Sequence, residues 1–228
     1  MKIAVLGTGM VGRALAGRLA ELGHDVVIGT RDVEETLART DSDAMGNPPY
    51  SEWQRGHANI RLLPFPAAGG HGGLVVNATA GGASLAALNA VGADNLAGKV
   101  VADVANPLDF SHGMPPRLSV ANDDSLGEQI QRAFPGARVV KTLNTVNANV
   151  MVEPSRVPGR HVVFVAGDDA AAKETVRALL GELGWGEGRI VDLGGIQAAR
   201  GTEMYLPLWL SLLGALGTAD FNIAIVKA

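Results

Sequence analysis

The sequence predicts an α/β protein built on a doubly wound, mostly parallel sheet. Three observations carry this. Short apolar runs without strict alternation recur along the chain, each followed by a helical pattern, as strands buried on both faces require. Strand, helix and strand succeed one another within the first 30 residues, as in a parallel βαβ unit. The 228 residues are 47% hydrophobic and 18% charged, which suits a chain with a packed core and excludes wholesale disorder.

The elements follow in order. Lys2–Leu6 reads as a buried strand. Met10–Leu22 reads as a helix, with Val11, Leu15, Leu19 and Leu22 on one face and Gly23 to end it. Asp25–Gly29 is the second strand. Asp32–Arg39 is a second helix, with Asp32 and Glu35 spaced as a capping box. Residues 40–58 hold Asp41, Ser42, Gly46, Asn47, Pro48 and Pro49 and predict an excursion loop. Ile60–Leu63, Leu74–Ala78 and Lys99–Val104 are further strands, with a helix over Ser84–Val91. Asn106–Asp123 is a second long loop, and Ser125 with Glu128 opens another helix. Arg138–Lys141, His161–Ala166 and Arg189–Asp192 complete the strands, with a helix over 170–183 and a helical tail over 197–216.

Composition excludes several function classes. The formal net charge of −4, with no basic stripe, argues against a nucleic-acid partner. The absence of Cys excludes disulfides, thiolate zinc sites and cysteine nucleophiles, and fits a reducing cytoplasm. Ile3–Leu6 is too short for a secretory apolar region, so no leader is expected. The most apolar stretch, Met204–Gly217, falls short of the about 20 residues a membrane span needs. It reads as a buried or interface helix, and no membrane partner is expected. So many Leu on one helix also make it the expected contact between two copies.

Gly7-Thr8-Gly9-Met10-Val11-Gly12 is G-x-G-x-x-G, closing a strand and opening a helix. In that context Gly7 makes the tight turn, Gly9 admits a pyrophosphate and Gly12 packs helix on strand. The helix start adds free N–H groups and a positive dipole end for an anion. This is the Rossmann dinucleotide-binding signature. Where an NAD site places an acid after the second strand, this chain reads Ile28-Gly29-Thr30-Arg31. An acid there repels a 2′-phosphate and an arginine suits one, so NADP(H) is expected over NAD(H). Asp32 is the adverse neighbour unless its cap role turns it away.

Ligands of such sheets lie beyond the strands' carboxyl ends. The segments expected there are Asn77-Ala78-Thr79-Ala80-Gly81-Gly82, Ala105-Asn106-Pro107 and Thr142-Leu143-Asn144-Thr145. Small, amide and hydroxyl residues hydrogen-bond a carboxamide or ribose without adding charge. No acid–base or metal constellation is legible, so no catalytic side chain and no metal ligand is expected. His112 is the best single histidine, and Arg200 with Glu203 are spaced for a helical ion pair. A site without an acid or base suits hydride transfer to another redox cofactor better than reduction of a ketone.

Met1–Gly12, Leu22-Gly23-His24-Asp25-Val26 and Gly29-Thr30-Arg31 resemble the NADPH-dependent coenzyme F420 reductases, the F420H2:NADP oxidoreductases. The similarity continues through Val75–Thr79, Asp103–Leu108, Val140–Thr145, Arg200–Glu203 and Phe221-Asn222. The resemblance implies reversible hydride transfer between NADPH and a 5-deazaflavin, coenzyme F420, in a cytoplasmic homodimer. It implies that Gly7, Thr8 and Gly9 hold the pyrophosphate and that Thr30 and Arg31 read the 2′-phosphate. Met10 and Val11 at the helix start, with Asn77, Ala78, Thr79, Ala105 and Asn106, complete the expected cofactor site. The lysine some members place after the arginine is missing here, where Val33-Glu34-Glu35 stands; Arg39 or a residue of the 40–58 loop is the expected substitute.

Residues 1–150 are thus expected to form the NADP-binding part, and 151–228 a smaller, partly helical part that completes the cleft. Two other functions compete. One is NADPH-dependent reduction of another acceptor: a flavin, a ferric complex, or a small carbonyl or imine. The other is a non-catalytic NADP(H)-sensing regulator. If the second substrate is the acidic deazaflavin, several of Arg117, Arg138, Lys141, Arg156, Arg160 and Arg200 are expected to converge on the cleft.

Overall fold

The structure is a computed structural model and describes residues 1–42 and 46–227. In chain order the first half runs β1 (Lys2–Leu6), α1 (Met10–Glu21), β2 (Asp25–Thr30), α2 (Val33–Ala38), α3 (Tyr50–Arg55), β3 (Arg61–Pro64), α4 (Phe65–His71) and β4 (Leu74–Asn77). Next come α5 (Gly81–Val91), α6 (Ala93–Leu96), β5 (Val100–Asp103), β6 (Leu108–Asp109), β7 (Arg117–Leu118), α7 (Leu126–Ala133) and β8 (Arg138–Thr142). The remainder is α8 (Ala148–Val152), β9 (Val163–Ala166), α9 (Ala170–Glu182), β10 (Ile190–Asp192), α10 (Ala199–Met204) and α11 (Leu206–Leu216).

The principal sheet has the order β10-β9-β8-β5-β4-β1-β2-β3. β3, β2, β1, β4, β5 and β8 run parallel, whereas β9 meets β8 antiparallel and carries β10 parallel to itself. The doubly wound α/β expectation holds. Alternation along β1 shows why both faces are apolar. Ile3 and Val5 pack with Leu15, Leu19 and Leu180 on one side. Ala4 and Leu6 pack with Phe65, Leu88 and Ile130 on the other. Successive side chains point to opposite faces, and each face finds its own helical layer.

The structure departs from the sequence reading in several places. The 40–58 stretch is not all loop: Tyr50–Arg55 forms α3 directly after Pro49. Asp43, Ala44 and Met45 of that stretch lie outside the described residues. α4 fills the connection between β3 and β4, where Phe65-Pro66-Ala67-Ala68-Gly69-Gly70 gave little helical signal. The 106–123 loop contains a short antiparallel hairpin, β6 with β7. The tail helix is broken at Tyr205, because Pro207 lacks the N–H that would continue α10 into α11.

Candidate functional site

The glycine turn joins β1 to α1. Gly7 adopts φ +114, and a Cβ on it would lie 2.5 Å from the Ala78 carbonyl oxygen. A Cβ on Gly12 would lie 2.1 Å from the Gly7 carbonyl oxygen. These two glycines are demanded by the fold itself. Gly9 differs: it is exposed, and among the described residues a Cβ there would meet nothing within 4 Å. Its lack of a side chain therefore leaves open space in front of the α1 N-terminus, whose first turn holds no acid. Thr8, Met10 and Val11 flank that opening half-buried.

At the end of β2, Arg31 is exposed and has no hydrogen-bond or ion-pair partner among the described residues. Asp32 caps α2, its side chain accepting from the Glu35 N–H at 2.8 Å, so the adverse carboxylate is turned into its own helix. Thr30 is buried. The Thr36 hydroxyl donates to the Asp32 carbonyl at 2.6 Å, so the Thr30 hydroxyl, 2.8 Å away, supplies the proton between the two threonines. Its proton thus serves α2 rather than solvent. Arg39 pairs with Glu35 at 2.6 Å. Beside these residues lies a cavity of about 420 Å³, bounded by Thr8, Arg13, Thr36, Arg39, Pro48 and Tyr50. Arg13 donates to the Thr8 and Pro48 carbonyls and lies 5.8 Å from the Tyr50 ring centroid. Burial pushes the Tyr50 hydroxyl up to about 12, against the pull of Arg13.

The ends of β4, β5 and β8 are joined from beneath. Lys141 Nζ donates to Asp103 Oδ2 at 2.8 Å, Glu203 Oε1 at 2.7 Å and the Ala105 carbonyl at 2.5 Å. Three acceptors saturate the ammonium. Burial alone would lower its pKa, but Asp103 and Glu203 overcome this and hold it above the ordinary lysine value. Glu203 also accepts from the Leu126 and Gly127 N–H groups at 2.8 and 3.1 Å, at the start of α7. That positive helix end offsets the second carboxylate. Asp103 Oδ1 accepts from Asn77 Nδ2 at 2.8 Å and the Ala105 N–H at 3.2 Å. Asn77 Oδ1 accepts from the Thr79 hydroxyl at 2.7 Å.

Above this network, the Asn106 and Asn144 side chains clasp each other and the Asn144 carbonyl. Leu143, between Thr142 and Asn144, takes the left-handed φ of +59, a conformation a branched residue avoids unless its surroundings impose it. The Thr145 hydroxyl is buried without a hydrogen-bond partner among the described residues. Gly81 lies so near Asn106 that a Cβ would fall 1.9 Å from its carbonyl oxygen.

The expected site residues thus stand along one carboxyl edge: Gly7 to Val11 after β1, Thr30 and Arg31 at the end of β2, Asn77 to Thr79 at the end of β4, and Ala105 and Asn106 after β5. The six basic residues do not converge there. Lys141 is buried in its ion cluster, and Arg200 is bidentate to Glu128 at 2.7 and 2.8 Å. Arg156 pairs with Asp220, Arg138 donates to the Gly98 carbonyl at the start of β8, and Arg117 and Arg160 are exposed. Arg200 and Glu203 do not pair with each other; each finds a buried or half-buried partner on or against α7. His112 is exposed, and its neighbour Ser111 donates to Asp109 instead. Among the described residues no group of three or more His, Cys, Asp or Glu is placed to hold a metal ion.

Sequence reading missed Arg13, Tyr50 and the role of Glu203. Lys141 carried a signal: a lysine after Val139 and Val140 on a central strand needs a carboxylate, and Asp103 stands beside it in register. Nothing local marked Glu203, which arrives from 62 positions further along the chain.

The family described as NADP oxidoreductase coenzyme F420-dependent matches residues 2–107. A solved structure from Arthrobacter sp. FB24, assigned by name to the F420-dependent NADP reductases, is 58% identical, with a TM-score of 0.93 and 100% of both chains covered. The F420-dependent NADP reductase of Methanothermobacter thermautotrophicus is 30% identical over 217 residues, 93% of this chain and 89% of that protein. Metalloreductase STEAP3 of Rattus norvegicus is 28% identical over 221 residues, 95% of this chain. The chain spans 39% of the rat protein's length.

Proposed function

The chain belongs to the coenzyme F420-dependent NADP oxidoreductase family, and from that premise we propose that it transfers a hydride reversibly between NADPH and coenzyme F420. The observation that carries the reading is the carboxyl edge itself. It offers glycines, amides and hydroxyls, while its two central carboxylates, Asp103 and Glu203, are buried against Lys141. Such an edge positions two ring systems and supplies no proton to a reacting carbon. The hydride leaves nicotinamide C4 with its electron pair and bonds to deazaflavin C5, and the reduced ring takes its proton from water.

In this reading Gly7, Thr8, Gly9, Met10 and Val11 cradle the pyrophosphate at the α1 N-terminus. Arg31 holds the 2′-phosphate, and Thr30 sets the start of α2 beside it. The cavity bounded by Arg13 and Tyr50 takes the adenosine end. Ala78, Thr79, Ala105 and Asn106 border the nicotinamide end, with the buried Asn77 beneath them accepting from the Thr79 hydroxyl. Residues 1–150 supply the NADP site and 151–228 close the cleft. A second copy covers α11, where Leu208 and Leu216 are 56% and 55% exposed. No described helix is long and apolar enough to cross a membrane.

The scattered basic residues favour a second reading, NADPH-dependent reduction of a less acidic acceptor such as a flavin, a ferric complex, or a small carbonyl or imine. The oxidoreductase family sets the non-catalytic regulator aside. One assay separates the two enzymes: mix the protein with NADPH and oxidised F420 and follow the deazaflavin's visible band. Bleaching supports the first reading. No bleaching with NADPH tightly bound supports the second.

A further inference from the structure

The nicotinamide side of the edge stands on one buried ammonium held between the sheet and the C-terminal helices. We propose that Lys141 and Glu203 are positioning residues for the reduced nicotinamide ring, an inference that rests on the hydride-transfer reading above. Three features of the geometry support it. Lys141 spends its third hydrogen bond on the Ala105 carbonyl, while Asp103 takes the Ala105 N–H. The peptide groups on both sides of Ala105 are thereby fixed, just before Asn106, whose side chain clasps Asn144. Glu203 reaches this ammonium from α10 and binds the start of α7 with the same carboxylate. One side chain therefore sets the C-terminal helices against the strand ends.

A buried ionic cluster is a poor way to gain stability alone, since well-packed apolar residues of similar volume often do as well or better. What the cluster provides is direction: each of its bonds fixes an angle that apolar packing would leave free. Lys141 and Glu203 touch no substrate in this arrangement. They act through Ala105 and Asn106.

The test is Glu203→Gln, which keeps the side chain's shape and one acceptor oxygen, enough for one of the two α7 N–H groups, but removes its charge from the ammonium. The readout is the fluorescence lifetime of bound NADPH, which reports how firmly the reduced nicotinamide is held and requires no deazaflavin. In the folded, NADPH-saturated variant the lifetime is expected to fall toward that of free NADPH. The dissociation constant should stay within about threefold, because the pyrophosphate and 2′-phosphate contacts are untouched. Single-turnover transfer from bound NADPH should slow by at least about tenfold. A wild-type lifetime in the saturated variant overturns the proposal, whatever the melting temperature. Should Glu203→Gln fail to fold, Glu203→Asp, with the charge drawn back by one methylene, is read by the same criterion. Failure of wild-type protein to reduce F420 overturns the hydride-transfer reading, and the lifetime comparison still decides the positioning role.

Discussion

Asn144 Nδ2 donates to Asn106 Oδ1 at 2.9 Å while Asn106 Nδ2 donates to the Asn144 carbonyl at 2.8 Å. This reciprocal clasp joins the loop after β5 to the loop after β8 and holds Leu143 in its left-handed conformation between them. Asn106→Ala removes both bonds and leaves the buried Asn144 amide unpaired. The expected cost is about 1–3 kcal/mol, read as a lowered denaturation midpoint with an unchanged slope. An unchanged midpoint would mean that the clasp is not a constraint in solution.

The guanidinium of Arg31, exposed and without a partner among the described residues, should select the phosphorylated cofactor. Arg31→Ala removes one charge-assisted hydrogen bond, about 1.5–3 kcal/mol, so NADPH should bind about 10- to 100-fold more weakly. NADH binding should hardly change. Titration calorimetry with both nucleotides checks this, and equal losses for the two would remove the 2′-phosphate role.

Two of the turn's glycines should fail in different ways. Gly12→Ala puts a Cβ 2.1 Å from the Gly7 carbonyl oxygen, a backbone clash expected to cost about 1–3 kcal/mol of stability or more. Gly9→Ala meets no atom of the described residues within 4 Å, so its thermal melt should match the wild type. The new methyl nevertheless occupies the approach of the pyrophosphate, and NADPH affinity should fall at least about tenfold. A Gly9→Ala protein that melts early, or binds NADPH normally, would contradict this division of labour.

The Arg200 guanidinium beside Glu128 holds its carboxyl below the ordinary glutamate value. A depressed folded pKa adds stability that is complete above the unfolded value of about 4.3 and is lost as pH falls through the folded one. Melting temperatures should therefore drop as pH is lowered from about 5. Arg200→Gln should be less stable at neutral pH and show a shallower acid drop. Parallel profiles for the two proteins would show that the pair contributes nothing to acid lability.

Lys141→Met would leave Asp103 and Glu203 buried without their cation, and about 3–5 kcal/mol of stability should be lost. By contrast, Arg18→Ala breaks an exposed pair with Glu21 and should cost only about 0–1 kcal/mol. Urea unfolding of both variants measures the difference. Similar losses in the two would mean that water reaches the Lys141 cluster.

The strands were legible because each is an apolar run, bounded by turn residues and buried on both faces; the expected ranges fall within one or two residues of β1 to β5 and β8 to β10. The caps at Asp32 and Ser125 were legible because a capping box is local, and both side chains accept from the N–H three residues on. α4 was hidden by its glycines and proline, and the reversal of β9 left no mark on a strand that is apolar either way. The edge segments were found, but the job of their polar side chains was not. Asn77 read as a residue that hydrogen-bonds a ligand and Lys141 as one that converges on the cleft, whereas both turn inward to Asp103. Their partner Glu203 belongs to a distant helix, and only the folded sheet brings it near.

The most direct measurement follows the transferred atom. NADPH deuterated at the transferring C4 position is mixed with the protein and oxidised F420, and the reduced deazaflavin is analysed by mass and NMR. Deuterium at C5, formed at the rate of bleaching, is the predicted result. Bound NADPH with no reduction of F420, or a reduced ring whose C5 hydrogen comes from water, would contradict it.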